Sequence, residues 1–228
     1  MYQDPNAPPL NPLPPVVWFL TLPIIAVEAM FQLADRGIIG GPGGIGWRLE
    51  ALQDFAFSGR IFDWMLANGV FPPEHMLRFV SYAFLHVSFT HILFVVVFIL
   101  ALGKMVGEIF SFAAVLAVFW TGIVAGAVAY GLVLDDNVPL VGAFPGAYAL
   151  IGAYTFILWV ALGNMGENKM SAFTFIAFLM GIQLFFNIFF GGANDWIADI
   201  AGFAAGFLLS FVVSPGGWNR VMGKLRQR

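Results

Sequence analysis

The residues able to do chemistry are few. Among 228 residues there is no cysteine, which excludes a disulfide framework, a thiolate nucleophile, an iron-sulfur cluster and any cysteine-ligated zinc site. Three histidines remain, of which His86 and His91 lie within one apolar region. Their separation of five does not put them on one helix face, and it suits structural hydrogen bonds to loop backbone more than acid-base work. Asp195 and Asp199 are four apart and share a face if helical. Either both look into water at the outer end of a helix, or they form a costly intramembrane pair, which by default marks function. No metal site and no cofactor are expected from so sparse a donor set. Glu28 interrupts the first apolar run and is expected to pair with a neighbouring helix or to snorkel. Gln183 and Asn187 have the character of ordinary interhelical hydrogen bonders.

The elements that must position these groups are membrane helices. The chain is 60% hydrophobic and 10% charged, with mean hydropathy +0.87, too apolar for an ordinary soluble domain. Ten basic against thirteen acidic residues give a net charge of -3, with no basic surface for nucleic acid. Apolar stretches at 16–34, 83–103, 111–133, 146–163, 171–190 and 196–213 predict six transmembrane helices, hence an all-α polytopic fold. Residues 1–15 are proline-rich, lack the basic start of a secretory signal, and are expected to form an extended tail. Within a long first loop, 35–78, the runs Trp47 to Leu52 and Ile61 to Leu66 mix aromatics with charges and suit short interfacial helices. Residues 214–228 form a basic tail. With six crossings, Lys104, Lys169, Lys224, Arg220, Arg226 and Arg228 share one side, and Asp135, Asp136, Asp195 and Asp199 the other. The positive-inside rule then makes both termini cytoplasmic, against the arginines of the long first loop, which count less. Small residues four apart at Gly122 and Gly126, Gly142 and Gly146, and Gly202 and Gly206 predict close helix contacts.

A family resemblance rests on three motifs. The stretch from Arg78 through His86 and His91 to Phe94 resembles the start of the second helix in rhomboid intramembrane serine proteases. Gly142-Ala143-Phe144-Pro145-Gly146, followed by Tyr148 and Gly152-Ala153-Tyr154, is similar to the rhomboid Gly-x-Ser-Gly helix, and Ala198-Asp199 with Gly202 and Gly206 to its Ala-His-x-x-Gly-x-x-x-Gly. The resemblance implies a six-helix rhomboid-like bundle with a long interfacial first loop. It also implies that the nucleophilic serine position is held by Phe144, the general-base histidine by Asp199, the oxyanion asparagine by Val95 and the glycine after the nucleophile by Pro145. Tyr148, which in the family stacks on the base, is retained. Phenylalanine has no lone pair to activate, and none of the chain's serines has a Gly-x-Ser-Gly-like setting. Phe144 is expected to fill the space an active site would leave.

Three functional classes follow from this. The first is a rhomboid-like protein without protease activity that binds other integral membrane proteins as adaptor, chaperone or assembly factor. The second is a structural subunit of a larger membrane complex, suggested by 26 phenylalanines that could pack against helices as readily as against lipid. The third is an active intramembrane endopeptidase. The implied location is a bacterial inner membrane.

Overall fold

The computed structural model describes residues 12–134, 138–190 and 194–217. Asp135, Asp136, Arg220, Lys224, Arg226, Arg228, most of the 1–15 tail and the side chain of Asn187 lie outside the described part. Five helices are long and apolar enough to cross a membrane: α1 (Pro15–Asp35), α5 (Phe89–Gly107), α6 (Phe112–Val133), α7 (Phe144–Asn164) and α9 (Trp196–Val213). Between α1 and α5 lie three short helices, α2 (Trp47–Phe55), α3 (Gly59–Asn68) and α4 (Pro73–Ser81). The fifth of the six expected spans falls on α8 (Thr174–Phe190), 17 residues preceded by a 3₁₀ turn at Lys169–Phe173 and too short to count with these five. No strand occurs among the described residues beyond one bridge between Phe57 and Leu140.

The spans follow their apolar periodicity. In α1, Val17, Leu20, Ile24, Glu28 and Phe31 form a buried stripe at helical spacing, while Trp18, Phe19 and Leu22 face outward. That stripe packs against α5, where a β-carbon on Gly103 would stand 3.1 Å from Val17. The innermost element is α7, buried on every face from Pro145 to Ala153. It achieves this by backbone contact with α6 and α9. A β-carbon on Gly122 would strike the side chain of Ala149, and one on Gly126 would lie 2.6 Å from Pro145. On the other side, β-carbons on Gly202 and Gly206 would strike the carbonyls of Pro145 and Ala149. Small residues replace the hydrophobic drive that helices lack in lipid. Gly122 and Gly126 are therefore as much part of the seam as Gly202 and Gly206.

Two expected boundaries are corrected. The second span was expected from residue 83, but α5 begins at Phe89, because Ser88 is extended and its hydroxyl caps the helix by accepting from the His91 N–H at 3.2 Å. Residues Tyr82–Phe84 form a 3₁₀ turn instead, and Leu85 is extended. The fifth span was expected from residue 171, yet its first turn is 3₁₀ and the α-helix starts at Thr174. The first loop is also more helical than its two interfacial runs foretell, since α4 adds a third helix. Arg78 of α4 donates to the carbonyls of Gln53 and Ala56, both at 2.9 Å, pinning the end of α2.

Candidate functional site

Four elements converge at the end of the bundle nearest the first loop. Phe144 opens α7 behind Gly142, whose φ of +95° only glycine adopts easily. The Gly142 N–H donates to the Tyr82 carbonyl at 2.9 Å, and a β-carbon there would lie 2.7 Å from the His91 ring. Proline follows at the second helical position, where its missing N–H is an orphan in any case. Its ring and carbonyl are wedged between Gly126 of α6 and Gly202 of α9.

The aromatic rings form a continuous row. His86 meets His91 edge to face with ring centres 5.1 Å apart. His91 stacks on Phe144 at 5.2 Å and 16°. Phe144 then meets Tyr148 at 6.5 Å and Phe98 at 6.3 Å. His86 and His91 are indeed not on one helix face, since His86 precedes α5, and their rings meet because the extended segment before the helix brings them together. Of the expected hydrogen bonds to loop backbone, His86 has one loose contact, with the backbone of Phe84, and no well-formed bond from a described residue reaches either of its ring nitrogens or Nδ1 of His91. Burial, reinforced by the neighbouring His91, pushes His86 down to about 4, so it is neutral at neutral pH. Phe144 is half-buried and packs against the core.

Beyond Tyr148 the row becomes a hydrogen-bond chain. The Tyr148 hydroxyl donates to Gln183 Oε1 at 3.1 Å, and Gln183 Nε2 donates to Asp199 Oδ2 at 2.8 Å. Asp199 is 2% exposed, and its Oδ1 has no partner among the described residues. It does not look into water. Asp195, at the start of α9, is half-buried, and burial pushes its carboxyl up. Val95 is fully buried in α5 and offers only methyl groups. No cluster of three or more metal-ligating side chains occurs among the described residues.

A model of the Rhomboid domain matches residues 73–216, from the start of α4 to just past α9 and over half the chain. The chain belongs to the rhomboid family. No curated protein matches it. The match leaves α1, α2 and α3 outside, and these carry a second polar centre. Arg48 of α2 grips Glu28 of α1 bidentately, with both bonds at 2.9 Å. It also donates to the His86 carbonyl at 2.7 Å and to Asp35 at 3.4 Å. Gln32 adds a bond to Glu28 at 2.8 Å. The partner of Glu28 therefore comes from a loop helix. A lone arginine in an aromatic-rich run, set against an acid in the middle of the first span, is the signal that could have found it. The role of Gln183 as the bridge between Tyr148 and Asp199 also had no sequence signal beyond its polarity.

Proposed function

We propose that this rhomboid-family protein binds other membrane-spanning segments without cleaving peptide bonds. The reading rests on the ring of Phe144. At the position the family resemblance assigns to the nucleophile, an aromatic side chain stacked on His91 leaves no oxygen to activate. At the position of the base, Asp199 is held by an amide rather than aimed at residue 144. Val95 and Pro145 supply no donor where acyl transfer needs one. What supports a binding role is the retained scaffold, in which α8 is exposed along Phe175, Phe178 and Ile182. Gln183 ties this helix to α7 and α9. A partner helix would lodge beside α8, with the polar chain from Tyr148 to Asp199 beneath it.

The same proposal includes a sixth crossing. The 17 residues of α8 rise about 26 Å, and the five-residue 3₁₀ turn adds about 10 Å. Together these exceed a hydrocarbon core of about 30 Å. An even count places both termini on the side of Lys104 and Lys169, the cytoplasmic side of a bacterial inner membrane.

The decisive experiment uses the full chain in native membranes with photocrosslinkers placed on the outer face of α8. Discrete membrane-protein adducts, together with no turnover of a generic transmembrane substrate, are expected. Robust cleavage of that substrate by the unaltered protein would overturn the reading, as would adducts scattered over random neighbours.

A further inference from the structure

A cavity of about 430 Å³ opens where the last third of α1 meets α2 and the 3₁₀ turn after α4. Aromatic rings supply much of its wall: Trp47 and Phe55 from α2 and Phe84 from the turn face it, and Phe31 from α1 already carries the Arg48 guanidinium 5.2 Å over its ring. Two carboxylates complete the lining, Glu50 and Asp54, which stand four apart on α2 and so share its face. Both residues are exposed, and neither makes an ion pair with any described residue. The cations bonded nearby are already committed. Arg48 is taken by Glu28, Asp35 and the His86 carbonyl, and Arg78 by the carbonyls of Gln53 and Ala56.

We infer that this pocket is a binding site for the ammonium headgroup of a membrane lipid, of the choline or ethanolamine type. Aromatic faces attract an ammonium ion through their quadrupoles, most strongly where water is excluded, and such cages are a recurrent means of holding quaternary ammonium groups. The two unpaired carboxylates provide the complementary charge. Location favours a lipid over a lysine on a partner protein. The pocket lies beside the end of a membrane span and is walled by Val27 and Met30 from that span. Its volume matches a small-molecule site and is too small for a helix about 10 Å across with its side chains. The headgroup would sit between Glu50, Asp54 and Trp47, with the first methylenes of the lipid against Met30 and Phe55. This site is separate from the row of rings at Phe144 and does not depend on whether the protein cleaves peptides.

The test is a lipid titration of the full-length protein in mild detergent, read by native mass spectrometry. Phosphatidylcholine, phosphatidylethanolamine and phosphatidylglycerol of identical chains are compared. The two ammonium lipids are expected to bind at least fivefold more tightly than phosphatidylglycerol. In a variant carrying Glu50→Gln and Asp54→Asn that difference should shrink to less than twofold, and Trp47→Leu should lower it while keeping the side chain apolar. Unchanged melting of both variants confirms that they fold. Equal binding of all three lipids, or a preference that survives in the carboxylate variant, would overturn the assignment. So would a lysine-flanked apolar peptide that binds the pocket while the lipids show no headgroup preference.

Discussion

At Phe144 the consequences of one residue can be measured directly. Because the ring is half-buried, Phe144→Ala should cost about 2 kcal/mol, less than the 3–5 typical of a fully enclosed phenylalanine, read as a lowered melting midpoint in detergent. An unchanged midpoint would show that the row of rings contributes nothing to stability. Restoring the family's letters with Phe144→Ser and Asp199→His should not restore proteolysis. Pro145 fixes the backbone after the nucleophile and is itself enclosed by Gly126 and Gly202. Val95 leaves the tetrahedral intermediate without a side-chain donor, a loss of roughly a hundredfold to a thousandfold in rate. Cleavage of a transmembrane substrate, or labelling by a serine-directed phosphonate, in the double variant would sink this claim. Much of the site was legible at this scale, because Phe144, Pro145, Tyr148 and Asp199 were identified by motif alone. Gln183 was not, since a single amide in an apolar helix shows polarity without showing which of its neighbours it joins. The ring contact between His86 and His91 was hidden for a different reason. The helical-face argument assumes both residues are helical, and the Ser88 cap puts His86 outside α5.

Among the elements, α2 is tied to α1 by charge, whereas α3 and α4 dock through Phe62, Met65 and Phe79 in the apolar core. Arg48→Met should cost about 3–5 kcal/mol, because it strands Glu28 without a cation in a poorly solvated place. Adding Glu28→Leu should recover most of that loss, so the melting midpoint of the double variant should lie above that of Arg48→Met alone. The His86 segment, which the same arginine holds by its carbonyl, carries a pH dependence of definite sign. Burial lowers the folded-state value from 6.5 to about 4, so the unfolded chain binds the proton more readily than the folded one. The stability contribution is fully present above about 6.5 and is lost as pH falls towards 4. Melting measured between pH 7 and pH 4 should show this decline, and His86→Gln should flatten it. The spans themselves were legible as unbroken apolar runs, within a few residues at most ends. The errors fell at Ala83 and Ser171, where apolar composition continues across 3₁₀ turns and only capping geometry marks the true start. The helix α4 was hidden because Pro73 to Ser81 mixes charge and apolar residues without the aromatic density that marked the other two loop helices.

For the whole molecule, orientation gives the simplest check. A reporter fused after Arg228 should be active only in the cytoplasm, and activity on the far side alone would overturn both the positive-inside argument and the even number of crossings. The arrangement of the first loop also bears on how the chain is made. Phe57 exchanges two backbone hydrogen bonds with Leu140, at 2.9 and 3.2 Å, and Tyr82 receives the N–H of Gly142. Both clasps join the region before α5 to the short segment that leads into α7. During translation, then, the loop helices are made long before the segment that holds them exists. At about 5–20 residues per second, the roughly 80 residues separating the two halves of the bridge take several seconds to synthesise. Throughout that interval the loop lacks both backbone clasps. The fold of the first loop is therefore completed late, only once the segment leading into α7 has been made.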